Sequence, residues 1–507
     1  MEHLIIAPIL IPAFAGMLLL LEVRERQHLR RLTGLLATLA LIPVALGLWQ
    51  QAASGDIGVY QLGDWRAPFG IVLVLDRLSA LMVLLTAVLA LPALIYGSRG
   101  DDRRGANFHA LFQLQLMGIN GAFLTGDLFN LFVFFEILLI ASYALLLHGA
   151  GSARVRSGLH YLLLNLTGSA LFLIAVGTLY GVTGTLNMAD MALRVRELGA
   201  DDAPLVGAAG MLLLVVFGLK TAFFPLYFWL PRAYAAASAP VGALFAIMTK
   251  VGLYSILRVY TLIFGAEAGP LADMAVGWLW PLALVTLGLG AIGALAASTL
   301  NALSAYLVVV SVGTLLAGVS LGTEQALSAS LYYLMHSTWI SGALFLLTGM
   351  LQRVRGPRFA ARLVAGPALP HPMLLGGLFF LSAMAIAGMP PLSGFLGKLM
   401  LLGAVGSGRE AAWLYPVVLG GGLLALIALS RAGSTLFWRH TDVAPSGEPL
   451  DGMRLAATLL LLMSSPALVV FAGPTLEYLN QTAAQLLEPQ SYIDAVMSVA
   501  PATGGAP

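Results

Sequence analysis

The stretch that decides the fold is GLKTAFFPLYFWLPRAYAAASAP, residues 218–240. It continues an apolar run long enough to cross a bilayer, and it places Lys220 inside that run. Because proline removes a backbone donor and glycine loosens the turn, we expect the helix to unwind near mid-membrane. Unpaired backbone at that depth is tolerated only inside protein or beside a wet cavity. The stretch therefore predicts a broken membrane helix that carries a charge.

A second stretch, AIAGMPPLSGFLGKLMLL at residues 385–402, predicts another broken helix, again with a lysine, Lys398. Two interrupted helices five apart are typical of inverted repeats with transport sites at the breaks. We expect helices 4 to 8 (residues 108–263) and helices 9 to 13 (residues 274–433) to form the repeats, within one membrane domain over residues 1–507. The alternative is that both breaks are ordinary packing kinks.

Composition places the whole chain in a bilayer. Of 507 residues, 59% are apolar and only 10% charged, whereas soluble domains carry roughly 25% charge. With no cysteine, thiolate metal and iron-sulfur sites are excluded, so any redox chemistry belongs to a partner. The net charge of +2 argues against nucleic acid, and no phosphate-binding loop, zinc motif or nucleophile elbow occurs. We expect no cofactor, no metal and no enzyme active site.

The predicted fold is an all-α integral membrane protein with about 14 transmembrane helices. The start of the chain lacks a basic leader and a cleavage site, so we interpret its first apolar run as a retained helix. The predicted helices lie near residues 3–21, 32–49, 70–96, 108–125, 128–147, 158–181, 205–226, 239–263, 274–296, 300–320, 326–350, 374–404, 412–433 and 454–473.

Arginine content predicts the orientation, because short cytoplasmic loops hold an excess of positive residues. Alternate loops differ clearly in arginine content. The tail after Arg454 has no basic residue but contains Glu477, Glu488 and Asp494. Both termini are therefore predicted to face outward. The arginine-rich loops contain Arg24, Arg26, Arg30, Arg31, Arg99, Arg103, Arg104, Arg154, Arg156, Arg353, Arg355, Arg358, Arg362 and Arg439, and the opposite loops contain Arg66, Arg194, Arg196 and Arg409.

All three lysines of the chain, Lys220, Lys250 and Lys398, lie inside apolar spans, whereas the loops use arginine and histidine. Arginine stays charged at any accessible pH, while a lysine deprived of water can release its proton. Each charge in mid-span costs about 2.5 to 3.5 kcal/mol on insertion. Snorkelling to the interface is the alternative, but Lys250 and Lys398 lie too deep for it. The lysines therefore predict a proton or cation path.

Glu136, in DLFNLFVFFEILLIASYALL (residues 127–146), lies about 12 Å along its helix. An unpaired carboxylate there would take up a proton, so we expect a lysine on another helix as its counter-charge. The alternative is a fixed ion pair that only joins two helices.

His336 lies within LYYLMHSTWISGALFLLTG (residues 331–349), and imidazole suits a relay between lysines. The alternative is a neutral histidine bonded to a hydroxyl such as that of Thr338. Asp76 and Arg77 are expected to form an interfacial pair. We expect Arg258, Arg431 and His160, near helix ends, to serve orientation and anchoring.

Three separated stretches carry a resemblance that covers nearly the whole chain. They are PLYFWLPRAYAAASAPVGALFAIMTKVGLYSILRVY (residues 225–260), the helix that contains Glu136, and PPLSGFLGK (residues 390–398). Together they resemble the D subunit of Mrp-type multisubunit Na+/H+ antiporters, a family related to the antiporter-like, proton-pumping subunits of respiratory complex I. The region of Tyr227 and Tyr234 is similar to that of the D subunit, whereas the complex I relatives usually have histidines in this region. Lys398 also resembles the D subunit, since one complex I relative has glutamate there.

The resemblance implies a role for each buried charge. Glu136 and Lys220 would form a coupled pair, Lys250 the central relay and Lys398 the exit, while His336 matches the histidine of the eleventh helix. Two departures put the relay in question. Relatives often have a lysine where this chain has Ser341 and Gly342, and a basic stretch where it reads TLNALSAYLVV (residues 299–309). The relay would then rest on His336, on hydroxyls such as Ser311 and Ser341, and on water.

The resemblance thus implies a proton-translocating subunit of a cation/proton antiporter. It would exchange protons for Na+ or another monovalent cation within a hetero-oligomeric complex of the prokaryotic cell membrane, driven by the proton-motive force. The first alternative is an antiporter-like pumping subunit of complex I or of a membrane-bound hydrogenase. The second is a stand-alone carrier of an organic solute, which would need a polar pocket at the breaks, whereas Phe, Leu and Gly dominate there.

Overall fold

The computed structural model describes residues 2–22, 26–443 and 447–498. Arg24, used above for orientation, lies outside the described residues. The helices of the first half are α1 (Ala7–Leu21), α2 (Gln27–Ala53), α3 (Arg77–Gly97), α4 (Phe108–Leu124), α5 (Leu128–Leu147), α6 (Ser152–Thr183), α7 (Met188–Arg196), α8 (Ala203–Thr221), α9 (Trp229–Ala236), α10 (Ala239–Phe245) and α11 (Met248–Leu262).

The second half is equally helical. Its helices are α12 (Val276–Ala296), α13 (Leu300–Ser320), α14 (Glu324–Arg355), α15 (Pro372–Ala387), α16 (Ser393–Gly403), α17 (Arg409–Phe437), α18 (Gly452–Leu462), α19 (Ser464–Val470), α20 (Ala472–Leu487) and α21 (Pro489–Met497).

Within the described residues, 11 helical segments are long and apolar enough to cross a membrane, while α1, α15 and α16 are apolar but shorter. The protein is therefore a mainly helical membrane protein, as its composition predicts. Helix α14 lies at the centre, since it packs against α3, α10, α13, α15, α16, α18, α19 and α20. Its most apolar window is entirely buried.

Both predicted breaks are present. The first break separates α8 from α9, and side chains hydrogen-bond to the backbone groups that the break leaves unpaired. Phe224 N donates to Thr286 Oγ1 of α12 at 2.8 Å, and Trp229 Nε1 donates to Leu219 O at 3.0 Å. The second separates α15 from α16, and there the ammonium group of Lys398 donates to Ala387 O at 2.8 Å. The buried backbone at each break is thus hydrogen-bonded inside protein.

One predicted boundary was wrong. Residues 72–75 form strand β2 (Val72–Leu75), not helix, and pair antiparallel with β1 (Gly58–Gln61). Helix α3 begins later because Asp76 caps it through Ser79 N at 2.8 Å. The predicted span 239–263 agrees with the apolar segment Ala239–Leu262, which is interrupted at residues 246–247, between α10 and α11. The predicted span 454–473 agrees with the apolar segment Gly452–Val470, and α20 follows it as a separate helix that ends at Leu487.

Asp76 pairs with Arg258, not with Arg77. Arg258 Nη2 lies 2.7 Å from Asp76 Oδ2, and the two side chains are only 4% and 3% exposed. The guanidinium also stacks on the ring of Tyr492 of α21, 4.9 Å from its centroid. Arg77 instead donates to Ala53 O at 2.9 Å. The expectation of an Asp76–Arg77 interfacial pair was wrong because the helix cap turns the Asp76 carboxylate inward, towards α11.

Arginines gather around two acids between α3 and α4. Asp101 accepts from Arg353 at 2.7 Å, and Asp102 accepts from Arg31 at 2.7 Å. Burial opposes the charge of Asp102, but hydrogen bonds from His109, Arg31 and Gln27 outweigh it, so the pKa of this carboxyl lies well below its ordinary value. Loops that are far apart in sequence therefore meet at one arginine-rich end of the bundle.

The Asp76–Arg258 pair generates a stability prediction. Asp76→Asn and Arg258→Gln should each lower the free energy of unfolding by about 3 to 5 kcal/mol, because each leaves one uncompensated buried charge. The double variant should recover most of this loss, since no net charge remains and asparagine still caps α3. Thermal unfolding of the purified protein measures both. Arg194→Gln is the control, because its pair with Asp190 is half exposed and should contribute at most about 1 kcal/mol. Additive losses in the double variant would contradict the pairing.

Candidate proton path

The five predicted site residues lie on five different helices. Glu136 is on α5, Lys220 on α8, Lys250 on α11, His336 on α14 and Lys398 on α16. Successive helices in the order α5, α6, α8, α11, α13, α14 and α16 all pack against one another. The structure therefore brings the five residues into one continuous row of packed helices.

Glu136 and Lys220 are joined indirectly, through α6. The Ser169 hydroxyl donates to Glu136 Oε1, and the Lys220 ammonium donates to Asn165 Oδ1 at 3.4 Å. Asn165 and Ser169 are four residues apart, so they lie one turn apart on the same face of α6. Among the described residues Lys220 forms no ion pair, although the ring of Phe135, the neighbour of Glu136, lies 5.7 Å from its nitrogen. A hydroxyl and an amide thus take the place expected for a direct salt bridge.

Lys250 is completely buried. Its ammonium lies 3.5 Å from Ser311 Oγ on α13, and that hydroxyl donates to Val308 O at 2.7 Å. Ser311 therefore acts as the acceptor next to Lys250.

His336 is also buried, and its partner is a serine of the second break. His336 Nδ1 lies 2.7 Å from Ser393 Oγ, which lies 2.8 Å from Ser465 Oγ. The hydroxyl of Thr338, the partner considered from sequence, instead donates to Leu334 O in its own helix. His336 is therefore linked through two hydroxyls to the region where α16 and α19 meet.

Lys398 caps the last turn of α15. Its ammonium donates to Ala387 O at 2.8 Å and to Ile386 O at 3.3 Å, carbonyls at the negative end of the helix dipole. Its side chain is only partly buried, and a Cβ at Gly422 of α17 would lie 3.6 Å from Nζ. Lys398 therefore occupies the outer end of the row.

Sequence reasoning missed Asn165, Ser169 and Ser465. Asn165 and Ser169 carry a readable signal, because two polar residues four apart in an apolar helix share one face. Ser465 carries none, since its partner Ser393 is 72 residues away. Among residues 2–22, 26–443 and 447–498, no cluster of three acidic or histidine side chains could hold a metal ion.

Comparisons with known proteins agree with this architecture. Residues 125–424 match the model of the NADH:quinone oxidoreductase/Mrp antiporter transmembrane family. The chain is 43% identical to the D subunit of the probable K+/H+ antiporter of Rhizobium meliloti (strain 1021), over 99% of both chains. It is 38% identical to the D subunit of the Na+/H+ antiporter of Bacillus subtilis (strain 168), over 98% of this chain and 100% of the relative.

A solved structure agrees as well. A chain of the Mrp complex from Dietzia sp. DQ12-45-1b superimposes with a TM-score of 0.87 at 28% identity, covering 98% of this chain and 99% of that chain. The fold and these similarities define a multi-pass helical membrane protein of the antiporter-subunit class. The chain belongs to the NADH:quinone oxidoreductase/Mrp antiporter family, and antiporter D subunits are among its relatives.

The contact between the second break and His336 generates a prediction. A Cβ at Gly394 would lie 2.0 Å from Ala385 O and 2.8 Å from His336 Nε2. Gly394→Ala should therefore push α16 away from α15 and lower the free energy of unfolding by about 1 to 3 kcal/mol. Gly403→Ala, in the same helix with nothing within 4 Å of its Cβ, is the matched control. Equal melting temperatures for the two variants would show that the break tolerates displacement.

Proposed function

We propose that this chain is a proton-translocating subunit of a multisubunit monovalent cation/proton antiporter, driven by the proton-motive force. The observation that carries this proposal is the row of helices from Glu136 to Lys398, with three lysines along it, of which Lys220 and Lys250 are buried. Full-length similarity to antiporter D subunits supports it. The names of those relatives differ in the cation, K+ in one and Na+ in the other, so the proposal covers monovalent cations as a class.

The lysines suit proton transfer because of what they contact. Lys220 faces an amide oxygen, Lys250 a hydroxyl and Lys398 main-chain carbonyls. Each acceptor is neutral, so a lysine can lose its proton without leaving a bonded carboxylate unpaired. A charge on one lysine raises the free energy of charging the next, because Coulomb interactions are strong where water is scarce. A proton that moves at one end of the row thereby favours the movement of a proton at the other end of the row.

In this proposal Glu136 supplies the field around Lys220, Lys250 is the central relay, and His336 joins it to Lys398 at the exit. Ser311, Ser393 and Ser465 supply hydroxyls along the way. Asn165 and Ser169 keep Glu136 and Lys220 from closing into a fixed ion pair, and so hold the pair ready to exchange protons.

We also propose two inverted repeats, over residues 108–263 and 274–433, and about 14 membrane crossings. What supports the repeats is that each contains a helix that breaks beside a lysine, at Lys220 in the first and at Lys398 in the second. We propose a multi-pass position in the prokaryotic cell membrane with the arginine-rich end inside and both termini outside. Arg31 pairs with Asp102 and Arg353 pairs with Asp101. Because these neighbouring acids bring the two arginines together, the pairs support one arginine-rich end of the helix bundle.

Lys250→Arg tests the function. The variant keeps the charge but cannot release a proton, so antiport should fall by about tenfold or more. Cation-dependent proton movement in inside-out vesicles that contain the whole complex measures the loss, and immunoblotting measures the amount of assembled protein. Arg156→Lys, an opposite exchange at an exposed position, should leave both unchanged. Antiport at the wild-type rate in Lys250→Arg would make this lysine structural.

The second prediction separates proton handling from a structural ion pair. Glu136→Ala and Lys220→Ala should each reduce assembly, because the remaining charge costs about 2.5 to 3.5 kcal/mol in mid-membrane. The double variant should recover assembly but not antiport, since it has no unpaired charge and no titratable pair. Membrane abundance and proton flux are measured side by side, with Glu477→Ala at an exposed position as the control. Restored flux in the double variant would mean that the pair only holds helices together.

A further inference from the structure

A large cavity opens beside α17, at the arginine-rich end of the bundle. Its volume is about 1220 Å³, and it lies between the end of α12, residues 362–365 and the second half of α17. Arg362, Arg431 and Arg439 line it together with the hydroxyls of Ser430 and Ser434. None of the residues described above as the proton path contributes to it.

The cavity is strongly cationic. None of its described lining residues is acidic, and none of its three arginines forms an ion pair within the described part of the chain. Arg431 donates to the carbonyl groups of Leu295 and Ala297 at the end of α12, which fixes its guanidinium at the cavity wall. Other arginines of this end differ, since Arg31 and Arg353 are bound to Asp102 and Asp101. The cavity therefore holds positive charge that the described chain leaves uncompensated.

An apolar stripe on α17 leads into the cavity from the membrane side. Leu419, Leu423 and Ile427 are 58%, 57% and 45% exposed, and their spacing of four places them on one helix face. The next position in that series is Arg431, so the stripe ends at a cavity arginine. Ile292 of α12, 57% exposed, is another outward-facing apolar residue on the helix that packs against α17.

We propose that this cavity binds an anionic phospholipid. The phosphate group contacts the three arginines and the two serine hydroxyls, and an acyl chain lies along the Leu419–Leu423–Ile427 stripe. Arginine is well suited to phosphate because its guanidinium donates two parallel hydrogen bonds, and basic pockets between membrane helices bind anionic headgroups. The stripe favours a lipid over free phosphate, and the absence of acid among the described lining residues favours an anionic over a zwitterionic lipid. The site is independent of the proposed transport function.

Photocrosslinking tests the site in native membranes that contain the full chain. The probe is phosphatidylglycerol with a diazirine in one acyl chain, and peptide mass spectrometry maps the labelled residues. Label is expected on residues 419–427, displaced by excess unlabelled phosphatidylglycerol but not by phosphatidylcholine or inorganic phosphate. Because each basic residue contributes about fivefold to binding an anionic lipid, Arg362→Gln with Arg439→Gln should reduce labelling by about 25-fold. Arg431 is left in place because it caps α12.

The matched control is Arg156→Gln, which removes an exposed arginine outside the cavity and should leave the labelling unchanged. Equal displacement by phosphatidylcholine would overturn the proposal, because the stripe would then hold ordinary boundary lipid. Displacement of the label by inorganic phosphate would also overturn the proposal, because the cavity would then be a site for a free anion. No label on the stripe in the wild-type protein would show that another protein covers this face. The displacement experiments with unlabelled lipids and inorganic phosphate use the wild-type protein, so they test the proposal even if the double variant is unstable.

Discussion

The cost of an uncompensated charge or an unpaired backbone group in hydrocarbon is the constraint on which the rest of this structure depends. At the first break Thr286 and Trp229 satisfy the freed backbone, and at the second break Lys398 does so. Asp76 and Arg258 solve the same problem by pairing with each other. Each of these contacts joins two different segments of the chain and so restricts how the helices pack.

Arginine and lysine meet this constraint in different ways. The buried arginine Arg258 is locked to a carboxylate, and Arg353 likewise binds Asp101. The three lysines contact only neutral acceptors among the described residues, so their charged and uncharged forms are both accommodated. Under the proposed function, an arginine bound to a carboxylate is structural, whereas a lysine that can change its charge is available for proton transfer.

Much of the site could be predicted because deep charges are rare in apolar spans. Lys220, Lys250, Lys398, Glu136 and His336 stand out in the sequence, and the structure brings all five into one row of packed helices. Their contacts could not be predicted. Whether Glu136 meets Lys220 directly or through α6 depends on helix rotation, to which hydropathy is insensitive, and the link from His336 to Ser465 joins segments far apart in the chain.

The sequence by itself determined the membrane class, the family, the two broken helices and the residue types that can carry protons. These follow from composition and local order, because proline and glycine act on neighbouring backbone and apolar length sets the span. Only the tertiary structure decided that residues 72–75 form a strand, that Asp76 pairs with Arg258 and not with its neighbour Arg77, and that the lysines donate hydrogen bonds to neutral acceptors. Each of these features depends on which groups of distant segments lie next to each other in the fold. The packing of those segments determines this, and local sequence does not.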